Sequence, residues 1–329
     1  MKGLQQIAYG NPTDVVRLVE VDEAIPQADE ILVEVEAAAM HLADLKFIHG
    51  DPGFRWFDMP RWPGHEGLGR IVAMGDEVDG VQKGDRVFLP IGAGTFRQRV
   101  PARVTDCTPA PEGDAHQLAL TSLNGITASI LVEEIAGAGE GDWIIQNGAN
   151  SSCGRFVIAL AKERGAKTVN IVRRAELVDE LRAIGADVVV VDTGDPDATA
   201  GLVRDATGGA EIAFGFDCVA ALGTVSIARC LGHGGTVINY GFMTGANAEM
   251  AFEDMFGRNV SLEGMSLRTT RDAWERKDVL ERLALMTAQG RLKAKVAGTF
   301  TLEQAQDAFA LQAKTGSDRP GKVLILPND

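Results

Sequence analysis

The rhythm of hydrophobic and polar positions changes once along this chain. Up to about residue 110 the apolar positions come in short alternating or unbroken runs. These are EILVEVEAAA from Glu30, GRIVAMG from Gly69 and DRVFLP from Asp85, with Gly84 at the turn inside VDGVQKGDRV. Runs of this length, punctuated by Gly, Pro and Asp, predict the strands of a compact barrel with irregular loops. From Asp142 longer periods begin: strand DWIIQNG, helix CGRFVIALAKERG, strand TVNIVR, helix AELVDELRAIG, strand DVVVVD. In the first helix Val157, Leu160, Ala161 and Arg164 keep the i, i+3, i+4, i+7 spacing of one face, and Gly165 is placed to end it. AEIAFGFDCV, ALGTVSIARCLGHGG, TVINYGF and VSLEGMSL continue the pattern. Alternating strands and helices predict right-handed crossovers and a doubly wound parallel sheet of the α/β class. The tail, DVLERLALMTAQGRL, AGTFT, LEQAQDAFALQAKTG and GKVLILP, is too short to stand alone and is expected to complete the first domain. The expected division is 1–117 with 268–329 for the barrel-like domain and 118–267 for the α/β domain.

Size agrees with two cores, since 329 residues exceed what one comfortably fills. Nothing approaches the 18 or so consecutive apolar residues of a membrane span. MKGLQQIAYG lacks a hydrophobic signal region, so a cytoplasmic placement is expected. A formal charge of −14 argues against nucleic acid as a partner, so an anionic ligand has to be met by local positive groups. Cys107, Cys153, Cys218 and Cys230 lie far apart without a C-x-x-C pair, which suits buried thiols in a reducing compartment.

The stretch QNGANSSCG, Gln146 to Gly154, sits where a strand turns into a helix, a place whose free amides and partial positive charge suit a pyrophosphate. A G-x-G-x-x-G register ending on Gly154 would need glycine at Ala149 and Ser151. The residues present are still small, and Asn150, Ser151 and Ser152 add side-chain donors around Cys153. An ordinary helix cap by Asn150 or Ser151 is the alternative. The next strand bears on the choice. NAD-binding sheets end it in Asp or Glu, whereas this one ends in Arg173 and Arg174, which suit a 2′-phosphate. The ligand expected here is NADPH.

On these residues the chain resembles the medium-chain dehydrogenase/reductase superfamily nearly end to end. QNGANSSCGRFVIALAKERGAKTVNIVRR is most similar to its zinc-free 2-enoyl thioester reductase branch, and PGHEGLGRIVAMGDEVDGVQKGDRV and GGTVINYGFM support the likeness. The resemblance implies a GroES-like catalytic domain, a Rossmann domain and an active-site cleft between them. It implies NADPH-dependent reduction of an activated double bond in an enoyl thioester or enone, with NADPH:quinone oxidoreductase as an alternative. By the same resemblance Asn124 and Thr127 lie near the cofactor and the reacting carbonyl, with helix capping as their bland reading. Tyr240, Gly241 and Phe242, together with Gly264, Met265 and Ser266, border the nicotinamide, and Lys322 approaches the dinucleotide. A homodimer through the edge strands TVINYGF and VSLEGMSL is implied as well.

Two departures from the family matter. Zinc alcohol dehydrogenases place ligands where this chain has His41, His65 with Glu66, and Leu123, and leucine cannot ligate a metal, so no metal is expected. His41, His65 and a carboxylate remain a three-ligand alternative in principle. The enoyl reductases carry a tyrosine in the segment matching FIHGDPGFRW, and here the position falls at Pro52. His49, Asp51, Trp56 and His41 are the candidates to replace it, with His41, His49 and Asn124 taken as the catalytic set. The loop from Phe54 to Gly64 gathers Phe54, Trp56, Phe57 and Trp62, which with His65 suit the wall of a cleft for a flat substrate, or a small satellite core. Its Arg55 and Arg61 read as solvated, with contact to an acyl-carrier phosphate as the alternative. The missing tyrosine keeps a non-catalytic NADPH-binding protein in view.

Overall fold

The computed structural model describes residues 1–267, 276–314 and 316–329, and divides into two compact units, Met1–Leu123 with Trp274–Asp329, and Asn124–Ala273. The first begins with a small antiparallel pair, β1 (Lys2–Gln6) and β2 (Val16–Glu20), around the single-turn α1 (Pro12–Val15). The long strand β3 (Glu30–Met40) runs through the core, with Ile31, Val33, Val35, Ala38 and Met40 fully buried. After it come α2 (Leu42–His49), β4 (Glu66–Met74), β5 (Arg86–Phe88), β6 (Arg99–Arg103), β7 (Thr108–Pro109) and α3 (Ala115–Leu118).

The helix α4 (Thr121–Ser129) carries the chain into the second unit. There β8 (Trp143–Asn147), α5 (Ser152–Glu163), β9 (Lys167–Val172), α6 (Leu177–Ala183), β10 (Val188–Val191), α7 (Pro196–Thr207), β11 (Phe214–Asp217), α8 (Leu222–Cys230), β12 (Thr236–Asn239) and β13 (Ser261–Gly264) follow. All strand pairs are parallel, in the order β10-β9-β8-β11-β12-β13. The order reverses between β8 and β11, and ligands of such sheets bind outside the carboxyl ends of the strands at that point. One expectation is corrected here: β12 is an interior strand with β13 as its outer neighbour, so only VSLEGMSL lies at an edge. The α7 helix escaped the periodicity reading although Asp195 caps it, Pro196 opens it and Gly208 closes it in the left-handed region.

The chain then returns to the first unit through α9 (Lys277–Ala288), β14 (Val296–Phe300), α10 (Ala305–Ala313) and β15 (Lys322–Ile325). Its sheet runs β14-β15-β3-β4-β5-β7, with β6 also on β3. The length of β3 makes this workable: Glu30–Glu34 pair with β6, and Ala38–Met40 pair with β15. Register then decides what meets at the far end of β3. Val323 faces Met40 and Glu66 faces Ala39, so Lys322 of β15, Glu66 of β4 and His41, the residue just past β3, are brought side by side.

Candidate functional site

That convergence makes a buried polar network within the first unit. Lys322 Nζ donates to His41 Nδ1 at 2.9 Å, which leaves the ring proton on Nε2 to be donated to Glu66 Oε2 at 2.6 Å. Glu66 is 1% exposed, and its other oxygen accepts from the Ser122 hydroxyl and the Leu123 amide, both at 2.7 Å, so it anchors the start of α4. Burial, and then the Lys322 charge, hold His41 below the usual histidine range, so the ring is neutral near pH 7. Next to it, the fully buried Asp44 accepts the His41 amide at 2.7 Å and pairs with His65 Nδ1 at 2.5 Å. Burial opposes its charge, but His65 and His41 outweigh burial and hold the carboxyl below its usual range.

A zinc ion does not fit these donors. Both His41 nitrogens are engaged, one of them by an ammonium group that would repel a cation, and both Glu66 oxygens are taken. Among the described residues no group of three or more His, Cys, Asp or Glu is arranged to hold a metal.

Beyond Asp44 the loop aromatics close on Phe47. His65 stacks on Phe47 at 4.6 Å, and Phe54, Trp56 and Phe57 meet Phe47 edge-on at 4.9, 4.9 and 5.3 Å. Trp62 is not part of this wall: its ring lies under the Arg97 guanidinium at 5.2 Å and packs on the close-approaching Gly3. Arg61 is half-buried over the Phe57 ring, which corrects its reading as a solvated group. Sequence reasoning passed over Tyr9, whose hydroxyl donates to Phe57 O at 2.8 Å and accepts from Phe57 N at 3.0 Å. It props the loop from below, and a side chain at Gly50 would strike its ring. Pro52 is exposed. Of the residues expected to act in catalysis, His49 stands exposed at the opposite end of α2 from His41, roughly 12 Å away at the helical rise. Asn124 is buried in the second turn of α4, three residues before Thr127 on the same face, so neither is a cap.

In the second unit the phosphate turn is built as follows. Gly148 takes the left-handed region after β8, Ala149 is fully buried, and Ser151 caps α5 by accepting the Gly154 amide on its hydroxyl at 3.1 Å. The capping alternative is thus realised at Ser151, and it coexists with an exposed Asn150 and with the Ser152 and Cys153 amides, which have no acceptor within the helix. The Ser152 and Cys153 side chains are buried, so backbone is what they can offer a ligand. Gly154 is sterically required, since a Cβ there would lie 2.7 Å from Ala149 Cα and O. Gln146 ties the helix to the sheet through Gly154 O at 2.9 Å and Asn170 Oδ1 at 2.8 Å. Asn147 reaches Asp217 at 2.6 Å, and Asp217 also takes Thr224 and Asn239, a polar row across the ends of β8, β11 and β12.

At the end of β9, Arg173 is exposed and free of any ion pair among the described residues, while Arg174 lies 3.4 Å from Glu176. The Tyr240 ring is directed inward, where burial and then the Cys153 and Cys218 thiols push its hydroxyl well above the usual range. Gly241 packs against Cys218, Phe242 is 36% exposed, Met265 is buried and Ser266 is exposed.

Comparison with known proteins agrees with both units. Residues 27–136 match the alcohol dehydrogenase GroES-like domain family, and residues 184–325 match the zinc-binding dehydrogenase family. The mitochondrial enoyl-[acyl-carrier-protein] reductase of Caenorhabditis elegans is 29% identical over 296 residues, covering 87% of this chain and 84% of its own length. Among solved structures, an NADPH:quinone reductase of Bacillus thuringiensis superposes with a TM-score of 0.88 at 21% identity, covering 99% and 98% of the two chains. The Etr1p complex with NADP and crotonyl-CoA, Etr1p being a 2-enoyl thioester reductase of Candida tropicalis, does so with a TM-score of 0.83 at 21% identity, covering 99% of each chain.

Proposed function

We propose that this chain, whose residues match the alcohol dehydrogenase GroES-like domain and zinc-binding dehydrogenase families, is a medium-chain dehydrogenase/reductase that acts as an NADPH-dependent reductase of an activated carbon–carbon double bond, on an enoyl thioester or an enone. The observation that carries the cofactor choice is Arg173, exposed and unpaired at the end of β9, where an NAD site needs an acid. The C. elegans relative supports the reaction class by its name. When bound, NADPH supplies a hydride to the β-carbon of the substrate.

This chain's own residues do the rest. The amides of Ser152 and Cys153, at the positive end of α5 with Gly154 behind them, hold the pyrophosphate, and Arg173 with Arg174 holds the 2′-phosphate. Asn150 and the Ser151 hydroxyl proton add donors. The backbone of Tyr240, Gly241, Phe242, Met265 and Ser266 borders the nicotinamide, with Thr127 and Lys322 completing the cofactor contacts. Asn124 stabilises the oxyanion that develops on the substrate carbonyl. Trp56 and Phe57 hold the flat acyl or enone portion against Phe47. The Lys322–His41–Glu66 contact stands in place of a metal, so the reaction is zinc-free. The domain limits 1–117 with 268–329, and 118–267, go with this reading.

Two further parts of the proposal concern the setting. A homodimer forms through β13, whose four residues are all exposed at the sheet edge. The four free cysteines suit a reducing compartment such as the cytoplasm. No helix among the described residues is long and apolar enough to cross a membrane.

The deciding experiment is NADPH oxidation by the purified protein with crotonyl thioester, simple enones, 2-haloacrylate and quinones. Turnover of thioester or enone is expected. Turnover of quinones alone would replace the substrate class, and tight NADPH binding without any turnover would replace the enzyme reading.

A further inference from the structure

Pro52 leaves this chain without the acid that its resemblance would supply, and the neighbouring groups can be tried in turn. Tyr9 reaches the loop, but its hydroxyl is bonded on both sides by the Phe57 backbone. Asp51 is paired with Lys46 at 3.1 Å, His41 is engaged at both nitrogens, and His49 is exposed with no group among the described residues to orient it.

His65 differs from all of these. Its Nδ1 is fixed by the fully buried Asp44 carboxylate at 2.5 Å, and its ring is clamped on Phe47 at 4.6 Å with Phe57 alongside at 6.1 Å. Nε2 has no protein partner among the described residues, and the side chain keeps 12% of its surface exposed. A carboxylate that fixes one ring nitrogen, a stacked ring and a free second nitrogen are the parts of a general acid. We propose that His65, oriented by Asp44, is the proton donor of this site, an assignment that rests on the double-bond reductase reading above.

The step balances. When bound, NADPH would supply the hydride for the new C–H bond at the β-carbon, and the alkene π pair would move into an enolate. The Nε2–H bond of the imidazolium breaks as a C–H bond forms at the α-carbon, and the neutral ring then takes a proton from water. Throughout, Nδ1–H stays on Asp44, which gives the imidazolium its counter-charge. The charged and titratable groups facing the pair are Asp44, His41 through its amide, and the Arg61 guanidinium next to Asp44.

The test uses the full-length protein and three variants. His65→Phe keeps the stacking, His65→Ala opens a hole that free imidazole can fill, and Asp44→Asn removes the orienting charge. Loss of a positioned acid lowers kcat about a hundred- to ten-thousand-fold. That loss is expected for His65→Phe and His65→Ala in protein that still binds NADPH, although the melting temperature falls in both because the buried Asp44 carboxylate loses its partner, and imidazole should restore His65→Ala at least tenfold. Independently of turnover, nitrogen-15 NMR should show the His65 Nδ1–H proton strongly downfield in the parent protein and shifted in Asp44→Asn.

Full activity in His65→Phe, or no rescue by imidazole, overturns the acid while the reductase reading stands. A parent protein inactive on every enone and thioester overturns both. An equivalent of zinc that co-purifies and is lost in His65→Ala would make His65 a ligand and also overturn the proposal.

Discussion

Replacing Gly154 with alanine sets two effects of known size against each other. In an ordinary helix the change stabilises by about 1 kcal/mol, because glycine gives up more backbone freedom on folding than alanine does. Here the new methyl would stand 2.7 Å from Ala149 Cα and O, about 0.7 Å inside ordinary contact, and what it meets is backbone. Ala149 has little room to retreat, being fully buried in a cluster with Ile158, Val172, Leu177 and Leu181. Overpacking of this kind costs about 1–3 kcal/mol, so the clash cancels or outweighs the helix gain and the net loss is about 0–2 kcal/mol. For a unit of this size that lowers the melting temperature by up to about 8 °C. The same displacement would move the Ser152 and Cys153 amides away from the pyrophosphate they are proposed to hold, and one charge-assisted hydrogen bond is worth about 1.5–3 kcal/mol, or ten- to a hundredfold in affinity. Thermal melts with and without NADPH, alongside a fluorescence titration of the cofactor, read both quantities. A variant that melts higher than the parent and binds NADPH unchanged would refute the reasoning, because the turn would then have room the structure denies it.

Changing Arg173 and Arg174 together to alanine should weaken NADPH by about ten- to a hundredfold and leave NADH nearly unchanged; equal losses in calorimetric titration would remove the 2′-phosphate assignment. His41 is held neutral in the folded chain and becomes protonated in the unfolded one. Its contribution to stability is therefore complete above about pH 6.5 and is lost as the pH falls below that. Lys322→Met removes one cause of the depression, so urea unfolding between pH 7 and pH 5 should show a shallower fall than in the parent, and an unchanged slope would count against the network. Leu262→Asp, at the centre of β13, should leave the protein monomeric by light scattering, against a dimer in the parent if the proposed β13 pairing holds, with NADPH binding retained. Ser151→Ala removes the cap of α5 and should cost about 1 kcal/mol in denaturant unfolding.

Much of the α/β unit was legible because its strands are short apolar runs separated by amphipathic helices, and that pattern survives without knowledge of partners. The α2 helix was missed because a largely buried helix of eight residues next to a buried strand shows little periodicity. The interior place of β12 was missed because strand order is a property of pairing, and TVIN and SLEG look alike as edge or neighbour. Within the site, Gly154 and Arg173 could be read locally. The Lys322–His41 contact spans 281 positions and exists only through the register of β15 on β3, so no local pattern announces it. Tyr9 was hidden for the same reason, lying 48 residues from the backbone it holds.

That last strand has a consequence for how the chain comes off the ribosome. Translation proceeds at about 5–20 residues per second, and domains fold as units as they emerge. The second unit is contiguous and can close as soon as β13 is out, but the first must wait for its final strand. Until Lys322–Ile325 appears, the Ala38–Met40 edge of β3 has no partner and His41 has no ammonium beside it. Nascent chains arrested before that point present an open apolar strand edge to chaperones and to one another.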